Sequence, residues 1–308
     1  MSNEKNLSMR DSFINKIYNL AKQDREVMIV SADMGAPALD KFRLELGNQF
    51  LNVGIAEENM ISVAAGLASE GKKPYTIAIM PFTTSRCHEF IKLNLGLMKI
   101  PVRVIGIGTG FSYDDSGPTH HTTEDISIMR AIPNLTIFSP SDSICAAKIA
   151  EISYKENKPT YIRLDRKVQP SIYEENENFE IGFKELKQGF DICIISTGNM
   201  VHEALKIVKD FEQRGVKIGV IDLYRLKPLN SDIIRFLSKY KKIISLEEQL
   251  LDGGFGSIIS EMITDNSLQL KLKRIGLRDY IYCYGGRENI QKYCKIDTDS
   301  VIKEIEKL

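Results

Sequence analysis

Short apolar runs alternate with amphipathic segments along this 308-residue chain, and that alternation restricts its fold more than any other feature. "VMIVSAD" (27–33), "PYTIAIMPF" (74–82), "IPVRVIGIG" (100–108), "LTIFSP" (135–140) and "PTYIRLD" (159–165) read as strands. Between them, "MISVAAGLASEG" (60–71), "CHEFIKLNLGLMK" (87–99), "EDISIMRAI" (124–132) and "SDSICAAKIAEISYKEN" (141–157) read as helices, the last capped by Ser141 or Ser143. Buried strands alternating with helices predict a doubly wound α/β domain around a parallel sheet. "SIYEENENFEIG" (171–182) is acidic and lacks a helical period, so it reads as a connection. The alternation then resumes with strands "DICIISTG", "KIGVIDLY", "KKIISLEE" and "LKLKRIGL", interleaved with helices "MVHEALKIVKDFEQRG", "SDIIRFLSKY" and "GSIISEMITDN". Two α/β domains are expected, at 1–175 and 180–308.

Ligands of open α/β sheets bind beyond the carboxyl ends of the strands. The loops there are "VSADMGAP", "NVGIAEEN", "IMPFTTSRC", "IGTGFSYDDSGPTHH" and "RLDRK". If the strands are parallel, these loops bring Asp33, Glu57, Arg86, His120, His121, Arg163 and Arg166 to one rim. "GIGTG" fails the dinucleotide fingerprint, because Phe111 replaces its last glycine and a polar loop follows it. There is no P-loop, and "DGGFGS" (252–257) reads as the closely packed start of a helix. His88 and His202 lie in helical segments and read as structural or surface residues. The net charge is zero, which excludes a general attraction to nucleic acid or anionic membranes. No signal-peptide pattern or membrane-length apolar run is present, and the five cysteines make no Cys-x-x-Cys pair. A cytoplasmic protein with reduced thiols is expected.

"FLNVGIAEENMISVAAGLASEG" (50–71) places Glu57 and Glu58 at the mouth of a helix built from small and aliphatic residues. Acids in a first helical turn complement the macrodipole wherever they occur. In an apolar pocket, however, burial disfavours the charge, and a neutral carboxylic acid can donate a hydrogen bond or proton to a heterocyclic nitrogen.

That segment, together with "SGPTHHTTEDISIMRAIPNLTIFSPSD" and "PTYIRLDRK", resembles the carboxyl-terminal half of transketolase, above all the second subunit of split transketolases. The resemblance runs from Arg10 to the end of the chain. It implies a thiamine diphosphate enzyme that moves a two-carbon ketol unit from a ketose donor to an aldose acceptor. In that family one domain binds the diphosphate through a metal ion and another receives the aminopyrimidine ring. The diphosphate domain carries Gly-Asp-Gly and a later Asn, and no Gly-Asp-Gly occurs here. The resemblance therefore implies half an enzyme, with no metal of its own. An amino-terminal partner subunit would carry the diphosphate and Mg2+ or Ca2+, and the two chains would form a heterotetramer in which this one homodimerises.

Residue by residue, Glu57 matches the glutamate that meets a pyrimidine nitrogen, and Phe82 matches an aromatic of the same pocket. Asp33 falls in the family's Ser-Ala-Asp segment near the cofactor, and His120 is the Gly-Pro-Thr-His histidine that contacts substrate hydroxyls. Arg10 and Arg166 match arginines of the substrate-phosphate site, and Arg163 matches one shared with related synthases. The chain departs from the pattern at four places. A second pocket aromatic is Ile79, a second histidine is Gly108, an acid four residues before His120 is Ser116, and a phosphate-site serine is missing near Pro37 and Ala38. These departures imply a non-standard sugar substrate. Alternatives are a deoxyxylulose phosphate synthase-like enzyme, a 2-oxo acid dehydrogenase β-subunit-like enzyme, and a regulatory or scaffolding subunit without catalysis.

Overall fold

The structure is a computed structural model and describes residues 7–308. The strands, in chain order, are β1 (Val27–Ser31), β2 (Phe50–Asn52), β3 (Lys73–Ile79), β4 (Arg103–Ile107), β5 (Thr136–Phe138) and β6 (Thr160–Leu164). They continue with β7 (Phe183–Lys187), β8 (Ile192–Ser196), β9 (Gly219–Leu223), β10 (Arg225–Lys227), β11 (Lys242–Leu250) and β12 (Lys271–Leu277). The first sheet runs β10-β5-β6-β4-β3-β1-β2 and the second β12-β11-β8-β9-β7. All pairings are parallel except β10 on β5 and β7 on β9. The all-buried strands β4 and β6 lie centrally, as near-continuous apolar runs require.

Strand order fixes where a ligand can sit. The chain passes from β1 to β2 on one side, then crosses back over β1 to place β3 on the other. The loops leaving β1 and β3 therefore diverge, opening a crevice beyond their carboxyl ends. Ile29 lies opposite Tyr75 in this pair, and Ser31 lies opposite Ile77.

The helix Glu57–Ser69 covers one face of that sheet. It buries Glu57, Met60, Ile61, Ala64, Ala65 and Ala68, a three–four spacing that makes a single stripe. It begins three residues before the expected helix at Met60, so Glu57 occupies a core position of its first turn. The opposite face is covered by the helices Met9–Ala21 and Ser143–Glu156, and Ser12 Oγ donates to Ser143 O across their contact at 2.8 Å.

Several sequence expectations change. Asp142, rather than Ser141 or Ser143, caps the helix Ser143–Glu156 by accepting from Cys145 N. "CHEFIKLNLGLMK" is a helical turn, His88–Ile91, followed by π-helix over Lys92–Leu97. There Gly96 sits so close beneath Ile132 that a Cβ would come within 2.6 Å of its Cγ2. Strand β10 carries the second half of the chain back onto the first sheet, and β7 and the helix Met9–Ala21 lie where the sequence pattern predicts no element.

A buried ion network joins the two sheets. Arg287, on the helix Arg287–Tyr293, donates to Asp165 just past β6 and to Glu248 on β11. Burial opposes the guanidinium's charge, yet the two carboxylates hold its pKa above the ordinary range. Burial likewise opposes ionisation of Asp165, but Arg287 and the surrounding hydrogen bonds pull its pKa below the usual value. Asp165 also accepts from Thr109 Oγ1 and Ser112 Oγ, and Glu248 accepts from Phe111 N, so the network pins the loop after β4. Among the described residues no helix is long and apolar enough to cross a membrane.

Candidate active site

A cleft of about 350 Å3 opens at the predicted crevice, within the roughly 300–1,000 Å3 usual for small-molecule sites. Its lining includes Ala32, Asp33 and Gly35 after β1, Ala78, Ile79 and Phe82 at the end of β3, and Glu57 from the helix. Ile55, Arg10 and Tyr113 complete its rim. A hollow of similar size lies between β10 and the helix Phe255–Asp265. Its two cations are already engaged, since Arg130 pairs with Glu261 and Lys227 donates to the Arg130 and Ile132 carbonyls.

Glu57 is only 4% exposed although it is a carboxylate in a first helical turn. Phe82 is half-buried on the short turn Met80–Thr83 that ends β3. The sequence predicts an acid among apolar neighbours alone; in the structure Arg86 Nη1 donates to Glu57 Oε2 at 2.6 Å. The Arg86 guanidinium also lies over the Phe82 ring, 4.5 Å from its centroid. Asp33 is exposed and in the left-handed region at φ 55°. It ties the loop after β1 to the end of β2, its N–H donating to Asn52 Oδ1 and its Oδ1 accepting from Asn52 Nδ2.

His120 packs edge-on against Phe82, with ring centroids 5.1 Å apart, and lies 5.9 Å from the Tyr113 ring. Arg166 in turn lies 4.4 Å over Tyr113. Cation and aromatic planes thus run from Arg86 through Phe82, His120 and Tyr113 to Arg166, along one side of the cleft. His121 faces the other way, buried against Phe111, and neither ring nitrogen has a hydrogen-bond partner among the described residues. Burial lowers its pKa against the pull of Glu248 and Asp114, so it stays neutral.

The two expected phosphate-site arginines already have carboxylate partners. Arg10 grips Asp11 at 2.7 and 3.1 Å. Arg166 donates to Ser112 O at 2.9 Å and lies 3.6 Å from Asp115 and 3.9 Å from Asp114. Arg163 is not brought to the cleft. It is 3% exposed, held by both Asp125 oxygens and donating to Ser139 Oγ, so its donors serve the interior.

No sequence motif marks Tyr113. A Cβ on Gly108 would lie 2.3 Å from its ring, and Gly108 sits at φ 101°. The tyrosine therefore fills the space that a histidine at position 108 would need. Burial raises its pKa, with Arg166 and Arg10 pulling the other way, so the cleft meets a neutral phenol. Composition gave no signal for this, because the two residues are linked only through space. Arg86 stood among the rim residues by its loop, but nothing local marked it as the partner of Glu57.

The family profile described as "Transketolase, pyrimidine binding domain" matches residues 5–170, and that described as "Transketolase, C-terminal domain" matches 183–301. The chain belongs to the transketolase family. It is 30% identical over 302 residues to an apulose-4-phosphate transketolase subunit of Phocaeicola vulgatus, covering 96% of each chain. It is 31% identical to a 6-deoxy-6-sulfo-D-fructose transketolase subunit of Clostridium sp. (strain MSTE9), covering 96% of this chain and 92% of that one. A solved structure titled "Split gene transketolase, inactive beta4 tetramer" superposes with TM-score 0.87 at 25% identity, over 98% of both chains. The chain is thus a transferase subunit of split-transketolase type, from a family that uses thiamine diphosphate and a divalent metal. The cleft fits the cofactor's aminopyrimidine end: a buried carboxylate and an aromatic face converge in a small crevice lined by both apolar and polar groups. Among the described residues no group of three His, Cys, Asp or Glu side chains could hold a metal ion.

Proposed function

We propose that this chain supplies the pyrimidine half of a two-chain thiamine diphosphate site, and that an amino-terminal partner supplies the diphosphate and metal half. The observation carrying this reading is Glu57, a carboxylate 4% exposed in the crevice beside Phe82, in a chain that has no Gly-Asp-Gly motif. When bound, the cofactor supplies the carbon nucleophile and the electron sink of ketol transfer. This chain's part is positional and electrostatic. Glu57 offers its carboxyl group to a pyrimidine nitrogen, and its burial strengthens that contact by excluding water. Phe82 offers a flat apolar face, and Asp33 holds the loop that borders the ring. His120, fixed edge-on to Phe82, presents a ring nitrogen to substrate hydroxyls. The open cleft with Ile55 81% exposed at its mouth suits a site that another polypeptide closes. Division into units at 1–175 and 180–308, self-association within a heterotetramer and a cytoplasmic location belong to the same reading.

The substrate differs from an ordinary sugar phosphate in this proposal. Arg10 and Arg166 are matched by Asp11, Asp114 and Asp115, and the Tyr113 phenol stands beside them. The acid expected at position 116 is a serine, bonded to the neighbouring Asp115. Relatives named for apulose 4-phosphate and 6-deoxy-6-sulfo-D-fructose make unusual ketoses the first candidates. The test is to co-purify this chain with a partner bearing Gly-Asp-Gly and the later Asn, then screen ketose donors and aldose acceptors. Ketol transfer by the pair, absent from either chain alone, supports the proposal. Carbon dioxide release from pyruvate would favour a synthase-like enzyme, and efficient use of xylulose 5-phosphate with ribose 5-phosphate would contradict the substrate reading.

A further inference from the structure

Arg86 contacts both groups that the pyrimidine ring would use. Its guanidinium is flat and delocalised, lies 4.5 Å from the Phe82 centroid, and donates in its own plane to Glu57 Oε2 at 2.6 Å. An aminopyrimidine makes the same two demands, a face to stack on and a carboxyl group at its edge. A guanidinium placed there occupies one face of the Phe82 ring and one carboxylate oxygen, Glu57 Oε2, that the pyrimidine would otherwise meet. We infer that Arg86 is a placeholder for the pyrimidine, and that cofactor binding displaces its guanidinium from Phe82 and Glu57. This inference rests on the thiamine diphosphate reading and concerns a residue to which that reading assigns no task.

The local structure suits such an exchange. The Arg86 side chain is 41% exposed while that of Glu57 is 5% exposed, so one partner is anchored and the other has room to swing into solvent. Arg86 follows the four-residue turn Met80–Thr83 instead of lying within a long helix. Glu57 is its only side-chain hydrogen-bond acceptor among the described residues. The arrangement also answers a physical problem of the empty subunit. A buried carboxylate without a partner is strongly unfavourable, and Arg86 neutralises it until the ring arrives. Release of one exposed cation–π contact and one half-exposed ion pair costs modest affinity, about four- to thirtyfold together.

The experiment compares wild type, Arg86→Met and Arg86→Lys, each in complex with the diphosphate-binding partner. Thiamine diphosphate is titrated calorimetrically into metal-saturated apo complex, and thermal unfolding of the apo complex is recorded in parallel. Methionine removes both charge and planarity, so it is expected to tighten binding about four- to thirtyfold while lowering the apo unfolding temperature. Lysine keeps the ion pair and loses the flat face, so it is expected to fall between the two. A residue with only a structural role would lower the unfolding temperature and leave affinity unchanged or weaker. Unchanged or weaker binding in Arg86→Met overturns the inference, and should that variant not fold, the same result in Arg86→Lys overturns it. If the wild-type complex binds no thiamine diphosphate, the cofactor reading falls and the placeholder falls with it. Binding by wild type without a gain in the variants removes the placeholder alone.

Discussion

Replacing Arg287 with Met tests how firmly the site's scaffold is held. The guanidinium is 7% exposed and donates to Asp165 and Glu248, whose side chains are 0% and 5% exposed. The substitution keeps a long side chain but leaves two carboxylates buried without a cation. Removing one member of a buried ion pair costs about 3–5 kcal/mol, because the remaining charge is uncompensated. With a urea slope of roughly 3 kcal/mol/M for a chain of this size, the unfolding midpoint should fall by about 1–1.7 M at pH 7. The loss should also depend on pH in a fixed direction. Burial acts to raise the pKa of Asp165, but Arg287 holds it below the ordinary value. Its stabilising contribution in wild type is therefore present above the unfolded value near 3.9 and disappears as pH falls through the depressed folded value. In the variant Asp165 loses the cation that held its pKa down and protonates more readily, so the gap from wild type should narrow as pH drops from 7 toward 4. Adding Glu248→Gln to Arg287→Met should recover part of the loss, since one uncompensated charge is gone. Chemical denaturation of the three proteins at pH 7 and pH 5 checks each statement. A loss below about 1 kcal/mol, or one that grows on acidification, would refute the argument.

Three further outcomes are expected. Among the described residues no cation pairs with the buried Asp222, and burial raises its pKa to about 7 despite hydrogen bonds from Ser141 and Tyr173. Its folded pKa exceeds the unfolded one, so stability should fall as pH rises from about 4 to 7, and Asp222→Asn should flatten that slope in urea midpoints. Phe82→Leu should weaken thiamine diphosphate binding about two- to tenfold by calorimetry, the worth of an aromatic contact beyond its area. Tyr113→Phe should change the Michaelis constant for sugar substrates while leaving cofactor affinity as it is, because the phenol lies at the outer end of the cleft.

The parts of this structure that were legible in the sequence are those written locally. Val27–Ser31, Arg103–Ile107 and Thr160–Leu164 are largely apolar runs of strand length, and burial on both faces suits all three to the interior of one parallel sheet. Glu57 stood out because two acids open a helix of small and aliphatic residues; its burial follows from the stripe Met60, Ile61, Ala64, Ala65, which the structure continues back to it. What escaped depends on pairings across long stretches of chain. Arg86 and Glu57 are 29 residues apart, and Arg163 and Asp125 are 38 apart. No periodicity links such partners, so Arg163 looked available when its donors were already in use. Tyr113 escaped for a steric reason, since only the fold brings its ring over the Cα of Gly108. Strand β10 is three residues long and joins a sheet built from the other half of the chain, which no local pattern announces.

The decisive experiment is proton exchange at the thiazolium C2 position of thiamine diphosphate in the reconstituted complex, followed by NMR after acid quench. If Glu57 acts on the pyrimidine ring from its buried position, Glu57→Gln should retain bound cofactor yet exchange about 10²–10⁴-fold more slowly than wild type. Equal exchange rates in the two complexes, with cofactor bound in both, would contradict the role assigned to Glu57.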